Sequence, residues 1–159
     1  MQVNYAVYTT STGEVLQNGS CDDTMVALQA QSAGETAIDT GNIVVDPKTQ
    51  YYVADVLTPR PLLTSVATWD VTSIVADGVS TATLGPGLPN PSTVIMEGSI
   101  PDIINKDSTY RFTTSSGIVP AIDEVTDGSY TITTTTTGLF TIIVESFPYQ
   151  TYTTTISGT

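Results

Sequence analysis

Beyond Trp69, turn-forming residues return about every ten positions, at Asp77-Gly78, Gly85-Pro86-Gly87, Pro89-Asn90-Pro91, Glu97-Gly98, Ser116-Gly117, Asp127-Gly128, Thr137-Gly138 and Phe147-Pro148. Short strands at that spacing mark a β-sandwich or a small barrel. The predicted strands are 72–76, 81–84, 93–97, 109–114, 129–135, 138–147 and 152–156. Composition agrees with this reading. The chain is rich in Thr, Val, Ile and Tyr and poor in Lys, Glu and Leu, a profile that suits a pleated, half-buried surface. The expected fold class is mainly β.

The first part of the chain is organised differently. Residues 3–9 alternate, Ser11-Thr12-Gly13-Glu14 forms a turn, and 15–21 alternate again, which predicts a β-hairpin. Asp22 or Asp23 can cap a short helix through Met25, Val26, Leu28 and Ala30, ending near Gly34. Strands are then expected over 36–45 and 50–57, around the turn Asp46-Pro47-Lys48-Thr49. At Thr58-Pro59-Arg60-Pro61 two prolines fix an extended backbone and remove two donors. The expected organisation is therefore a small N-terminal β-rich (α+β) module over 1–57, a Pro-containing linker over 58–68 and a sandwich over 69–159.

Charge narrows the function. Four basic and 16 acidic residues give −12, with no histidine. Lys48, Arg60, Lys106 and Arg111 are spread over more than sixty positions, so the clustered cations that neutralise nucleic-acid phosphates are lacking, and no nucleic-acid partner is expected. A His base, a His-bound metal and a Ser-His-Asp triad need an imidazole. Cys21 is the single thiol, so an intrachain disulfide and a Cys-rich zinc site are excluded, and Cys21 is expected as a small buried apolar residue. The start Met1-Gln2-Val3-Asn4-Tyr5 lacks a secretory pattern, and no run approaches the roughly 18 apolar residues of a membrane span. A chain made in a cytoplasm, with no membrane partner, is the expectation.

Two stretches carry resemblances. Residues 74–84, Ile-Val-Ala-Asp-Gly-Val-Ser-Thr-Ala-Thr-Leu, together with Asp127-Gly128-Ser129-Tyr130-Thr131-Ile132 and Gly138-Leu139-Phe140-Thr141-Ile142-Ile143-Val144-Glu145, resemble bacterial immunoglobulin-like domains of the invasin and intimin kind. The resemblance implies an immunoglobulin-like β-sandwich over 69–159, with 74–84 as an opening hairpin and the later blocks as the last two strands. Gly85-Pro86-Gly87-Leu88-Pro89 departs from that family, replacing a longer strand. Tyr5 to Cys21, followed by a short acidic helix and by Gln29, Ala30, Gly34 and Glu35, is similar to the start of small virion proteins encoded in the tail regions of tailed bacteriophages, in which an immunoglobulin-like module commonly follows.

Other constellations offer little chemistry. Asp123-Glu124 with Asp127-Gly128 has oxygen ligands for Ca²⁺ but not the spacing of a calcium loop, and Asp102 and Asp107 around Asn105 have less. Both sets are expected as solvated turns, with no metal and no cofactor. Glycoside hydrolysis by a carboxylate pair would need a cleft that nothing nearby supplies. Trp69, Tyr51, Tyr52, Tyr149 and Tyr152 are expected to fill a core or an interface more readily than to form a sugar platform. The uncharged run Thr131-Ile132-Thr133-Thr134-Thr135-Thr136-Thr137 is a pairing hazard unless covered, which suggests edges covered by neighbouring subunits.

Together these readings predict a non-enzymatic structural protein of a tailed-phage virion. It is expected to be a tail, baseplate or fibre-associated subunit that attaches to other virion proteins through Tyr5, Tyr8, Tyr51 and Tyr52 in a homo-oligomer or symmetric assembly. The alternatives are a head decoration protein that stabilises the capsid and an immunoglobulin-like adhesin module that binds a host surface polysaccharide.

Overall fold

The segment Val3-Asn4-Tyr5-Ala6-Val7-Tyr8 places apolar side chains on both faces of a strand, and a strand of that kind must be covered on both sides. In the computed structural model, which describes residues 1–65, 67–97, 103–105 and 121–159, this segment is β1 (Gln2–Thr9), the middle strand of an antiparallel sheet. It pairs with β2 (Val15–Asp22) on one side and with β3 (Glu35–Gly41) on the other. Val3, Tyr5 and Val7 meet Val26 of a 3-10 helix (Asp23–Gln29). Ala6 and Tyr8 meet Val15, Val45 and Tyr52 on the opposite face. Tyr52 belongs to β4 (Gln50–Val53), which forms a hairpin with β5 (Val56–Pro59). Two small cores, one on each side of β1, thus hold the first unit, Met1–Pro61.

Two features of this unit differ from the sequence expectation. The segment 50–57 is not one strand, because Ala54 and Asp55 take positive φ (48° and 64°) and reverse the chain between β4 and β5. A two-residue turn of this hand is normally announced by Asn-Gly or Asp-Gly, so Ala-Asp concealed it. Strand β3 ends at Gly41 (φ 62°), where the Asp39 carboxylate accepts the Gly41 N–H (2.7 Å), and the chain does not continue extended to residue 45. The turn releases Ile43 and Val44 to the surface while Val45 folds back into the core.

The second unit, Leu62–Thr159, is built from two sheets. One runs β10 (Ala121–Val125), β8 (Ser92–Glu97), β12 (Gly138–Glu145), β13 (Tyr152–Gly158) and β6 (Ser73–Ile74). The other runs β7 (Thr81–Leu84), β11 (Tyr130–Thr134) and β9 (Ile103–Asn105). Alternation along each strand directs one set of side chains inward: Val94 and Met96, Phe140, Ile142 and Val144, and Ile156 from the first sheet, with Ala82, Leu84, Tyr130 and Ile132 from the second. These form a single core. The unit is an immunoglobulin-like β-sandwich, and the described chain is mainly β.

The segment 74–84 does not form a hairpin within one sheet. β6 joins the five-stranded sheet by parallel pairing with β13, and β7 lies in the three-stranded sheet. The Asp77 carboxylate accepts the N–H groups of Ser80 (2.7 Å) and Val79 (2.8 Å), and this turn carries the chain from one layer to the other. Leu63 and Ala67, within the stretch 58–68 expected as a linker, are buried in the core of the second unit, while Thr58 and Pro59 lie in β5. The predicted strand 109–114 lies outside the described residues.

The run 131–137 also differs from expectation. β11 is flanked on both sides, by β7 and β9, so its pairing groups are met within the chain and not by a neighbouring subunit. The Thr134 hydroxyl accepts the Thr136 N–H (3.0 Å), closing the end of the strand locally.

Candidate docking surface

Among the four tyrosines expected at an interface, three are interior. Tyr5, Tyr8 and Tyr52 are 7%, 3% and 5% exposed, and only Tyr51 is half-buried. Their positions follow from β1 being covered on both faces. Tyr5 points toward the 3-10 helix, while Tyr8 stacks on Tyr52 with ring centroids 4.4 Å apart on the other side. These rings build the unit and offer no docking face. Cys21, opposite Val3 in the sheet, is half-buried against the core that includes Tyr5.

The Tyr8 hydroxyl donates a hydrogen bond to the Asp55 carboxylate in the β4–β5 turn. Burial first, and then the Asp55 bond and charge, push the Tyr8 phenol up to about 12. A folded-state value above the free phenol's 10 means that this stabilisation is complete below about pH 10 and disappears as the pH climbs through about 12. Tyr8→Phe is therefore expected to lower stability by ~1 kcal/mol at neutral pH, the usual worth of one such bond. The same variant should outlast the wild type in an alkaline melt. Parallel alkaline titrations of the two proteins followed by circular dichroism would show the crossover, and curves that never cross would refute the assignment.

Several carboxylates are committed to local turns. Asp22 accepts the Thr24 hydroxyl (2.7 Å) and N–H (3.1 Å) at the head of the 3-10 helix. Glu35 accepts the N–H groups of Gln31 (2.8 Å) and Ser32 (3.2 Å), and Asp46 accepts those of Lys48 (3.0 Å) and, through the hydroxyl, Thr49 (2.9 Å). With Asp77, all four are held below the ordinary carboxylate range. The leading causes are the Thr24 side chain for Asp22 and backbone N–H groups for Glu35, Asp46 and Asp77. A depressed folded-state pKa gives stability that is present above the ordinary values of 3.8 and 4.5 and is lost as the pH falls through the lowered ones. Asp77→Ala should melt below the wild type at neutral pH, and the gap should close on acidification to about pH 2. A gap that is constant with pH in calorimetric scans would exclude the carboxylate as its source.

Asp123 and Glu124 are consecutive residues of β10, where side chains alternate between faces, so they do not converge as a calcium loop would. The strand escaped notice because two adjacent acids read as a loop. The Asp127 carboxylate accepts the Ser129 N–H (3.1 Å) in a separate turn. Asp102 and Asp107 lie outside the described residues. Trp69, Tyr149 and Tyr152 pack partly buried against the sandwich core, and Tyr52 lies inside the first unit, the core-filling placement expected for them.

Both units expose apolar side chains, Val75, Val79, Ile122 and Leu139 among them in the second, and the first unit exposes two sets of neighbours. Ile43 and Val44 (77% exposed) follow the Gly41 turn. Val53 and Val56 (63% exposed) face each other across the tip of the β4–β5 hairpin. Strand β2 is exposed over Leu16–Ser20 on both faces. The signals were present as Thr40-Gly41-Asn42 and as the polar stretch Gln17-Asn18-Gly19-Ser20.

The fold and this surface define a two-unit, mainly β protein whose second unit is an immunoglobulin-like sandwich. No protein-family model and no curated protein matches the chain. Among solved structures it is similar to a β-glucuronidase from glycoside hydrolase family 2, at 11% identity and a TM-score of 0.38, over 99% of this chain and 18% of that one. It is similar to invasin, a bacterial integrin-binding protein, at 16% identity and a TM-score of 0.33, over 99% and 32% respectively. A glycosyl hydrolase family 2 member from Bacteroides cellulosilyticus gives 12% identity and a TM-score of 0.31, over 98% and 21%. The chain spans less than a third of the length of each of these proteins. Likeness at this level bears on neither activity nor partner.

Proposed function

We propose that the protein is a non-enzymatic structural subunit of a tailed-phage virion, a tail or baseplate component that attaches to neighbouring virion proteins through its first unit. The observation that carries this reading is the exposed apolar pair Val53 and Val56 at the β4–β5 tip, with the consecutive exposed residues Ile43 and Val44 in the same unit, on a chain that otherwise carries −12. Apolar side chains displayed in pairs on a strongly charged, soluble-type surface are suited to protein contacts. The engagement of carboxylates in turns agrees with a structural role, since groups locked into local hydrogen bonds are not held ready for proton transfer. The resemblance of Tyr5 to Cys21, with Gln29, Ala30, Gly34 and Glu35, to the start of tail-region virion proteins is the ground for proposing a virion as the particle.

The test is quantitative mass spectrometry of purified phage particles from a lysate that contains this chain. Few copies per particle, fixed in ratio to tail proteins, is the expected result. Copies scaling with the major capsid protein would assign the chain to the head instead. Recovery only as free protein would refute a virion role.

A further inference from the structure

Natural sheets protect a free edge with Lys, Pro, inward-pointing charge or a covering segment. Strand β2 has little of this. Among the described residues it pairs only with β1, from Val3↔Cys21 through Val7↔Gln17, and no strand pairs with its other side. Residues 15–21 carry no charge and no proline. The one irregularity is a bulge beside Leu16, at the Val7/Tyr8 step.

The strand is also held in shape. Gln17 donates through Nε2 to the Tyr5 hydroxyl (2.6 Å), and Ser20 donates through its hydroxyl to Asn4 Oδ1 (3.0 Å). Asn18 donates through Nδ2 to the Val45 carbonyl. The Tyr5 ring covers Gly19, where even a Cβ would lie 3.0–3.2 Å from its atoms. Side chains are thus fastened toward the sheet while the outer backbone edge stays open, and a pre-ordered edge spares a partner the cost of ordering it.

The ends of this edge are acidic. Glu14 stands at one end and Asp22 and Asp23 at the other, where the Met1 ammonium, 3.0 Å from Asp23 and 3.3 Å from Asp22, offsets one of the two carboxylates. Antiparallel pairing with a second copy, centred between Asn18 and Gly19, would set Glu14 of each chain against Asp23 of the other. Parallel pairing would align like charges directly. Self-association along this edge is therefore disfavoured, and cations flanking an uncharged strand are favoured.

We infer that the outer edge of β2 takes up an extended segment of another protein, an uncharged β-prone stretch flanked by Lys or Arg, as an added strand. This rests on the attachment role proposed above and specifies its surface. The probe is a fluorescent peptide whose alternating Thr and Val core matches β2's eight residues, with Lys pairs at both ends. With the full chain it should shift the backbone amide resonances of residues 15–21 and bind less tightly as salt is raised. Glu-flanked and backbone N-methylated versions should bind at least about tenfold more weakly, as should the Lys-flanked peptide to Glu14→Lys. Equal binding of the Lys- and Glu-flanked peptides, absence of shifts at 15–21, or a dimer of the free protein paired through β2 would each overturn the inference. Loss of peptide binding with the chain still present in virions would remove β2 as the docking edge and leave the attachment role. Peptide binding by a chain absent from virions would do the reverse.

Discussion

Gly13→Ala is expected to unfold the first unit or bring it close to unfolding. Gly13 closes the β1–β2 hairpin with φ of 78°, and a Cβ there would lie 1.7 Å from the carbonyl oxygen of Tyr52. The same contact carries a backbone hydrogen bond, from the Tyr52 N–H to the Gly13 carbonyl (2.9 Å), so the hairpin loop and β4 are in direct register. Strain at a positive φ costs ~1–3 kcal/mol. Forcing the backbones apart adds overpacking of about 1–3 kcal/mol, and both fall on a unit whose two cores are small. Native-state hydrogen exchange should show the Tyr52 amide losing protection, with the tyrosine near-ultraviolet signal of the unit melting earlier. A variant with wild-type protection at Tyr52 would mean that the loop can move aside without loss, contrary to this geometry.

In the sandwich, the largest effect is expected from Ile142→Ala. Ile142 is fully buried in the middle of β12, opposite Met96 on β8 and Thr154 on β13, and the cavity left behind is closed in by strands on both sides. Truncation of a buried Ile to Ala costs about 2–5 kcal/mol. Leu139, on the same strand but 67% exposed, is the control, and Leu139→Ala should change stability by roughly 0.5 kcal/mol or less. Trp69 is the sole tryptophan and packs against the core that contains Ile142, so its fluorescence reports urea unfolding of this unit directly. Equal losses at the two positions would argue that the inward and outward faces of β12 are assigned the wrong way round.

Strand periodicity made much of the architecture legible. The first hairpin, expected over 3–9 and 15–21, forms over 2–9 and 15–22, and the strand at 81–84 has the expected ends. Those segments alternate cleanly and are bounded by turn residues whose chemistry is plain in the sequence. What was hidden depended on non-local packing. Nothing local distinguishes a turn that links two strands of one sheet from one that crosses between layers, so Asp77-Gly78 read as a hairpin. The Thr-rich strand looked like an unprotected edge because its two partners, β7 and β9, are far away in sequence. The tyrosines looked like a docking face because aromatic content does not reveal which side of a strand is covered, and β1 is covered on both. The openness of β2 was partly visible as an uncharged polar stretch, but its place at the sheet edge is set by β1 pairing β3 on its other side.

The burial of Leu63 and Ala67 bears on how the chain can be divided. A fragment beginning at Trp69 would discard two plugs of its own interior and expose the hollow they fill, so its poor behaviour would say nothing about the sandwich itself. Arg60 is tied back to the first unit through its N–H to the Thr49 carbonyl (2.7 Å) and its guanidinium to the Pro47 carbonyl (3.0 Å). The cut that keeps each unit's own core residues together is the Pro61–Leu62 peptide bond.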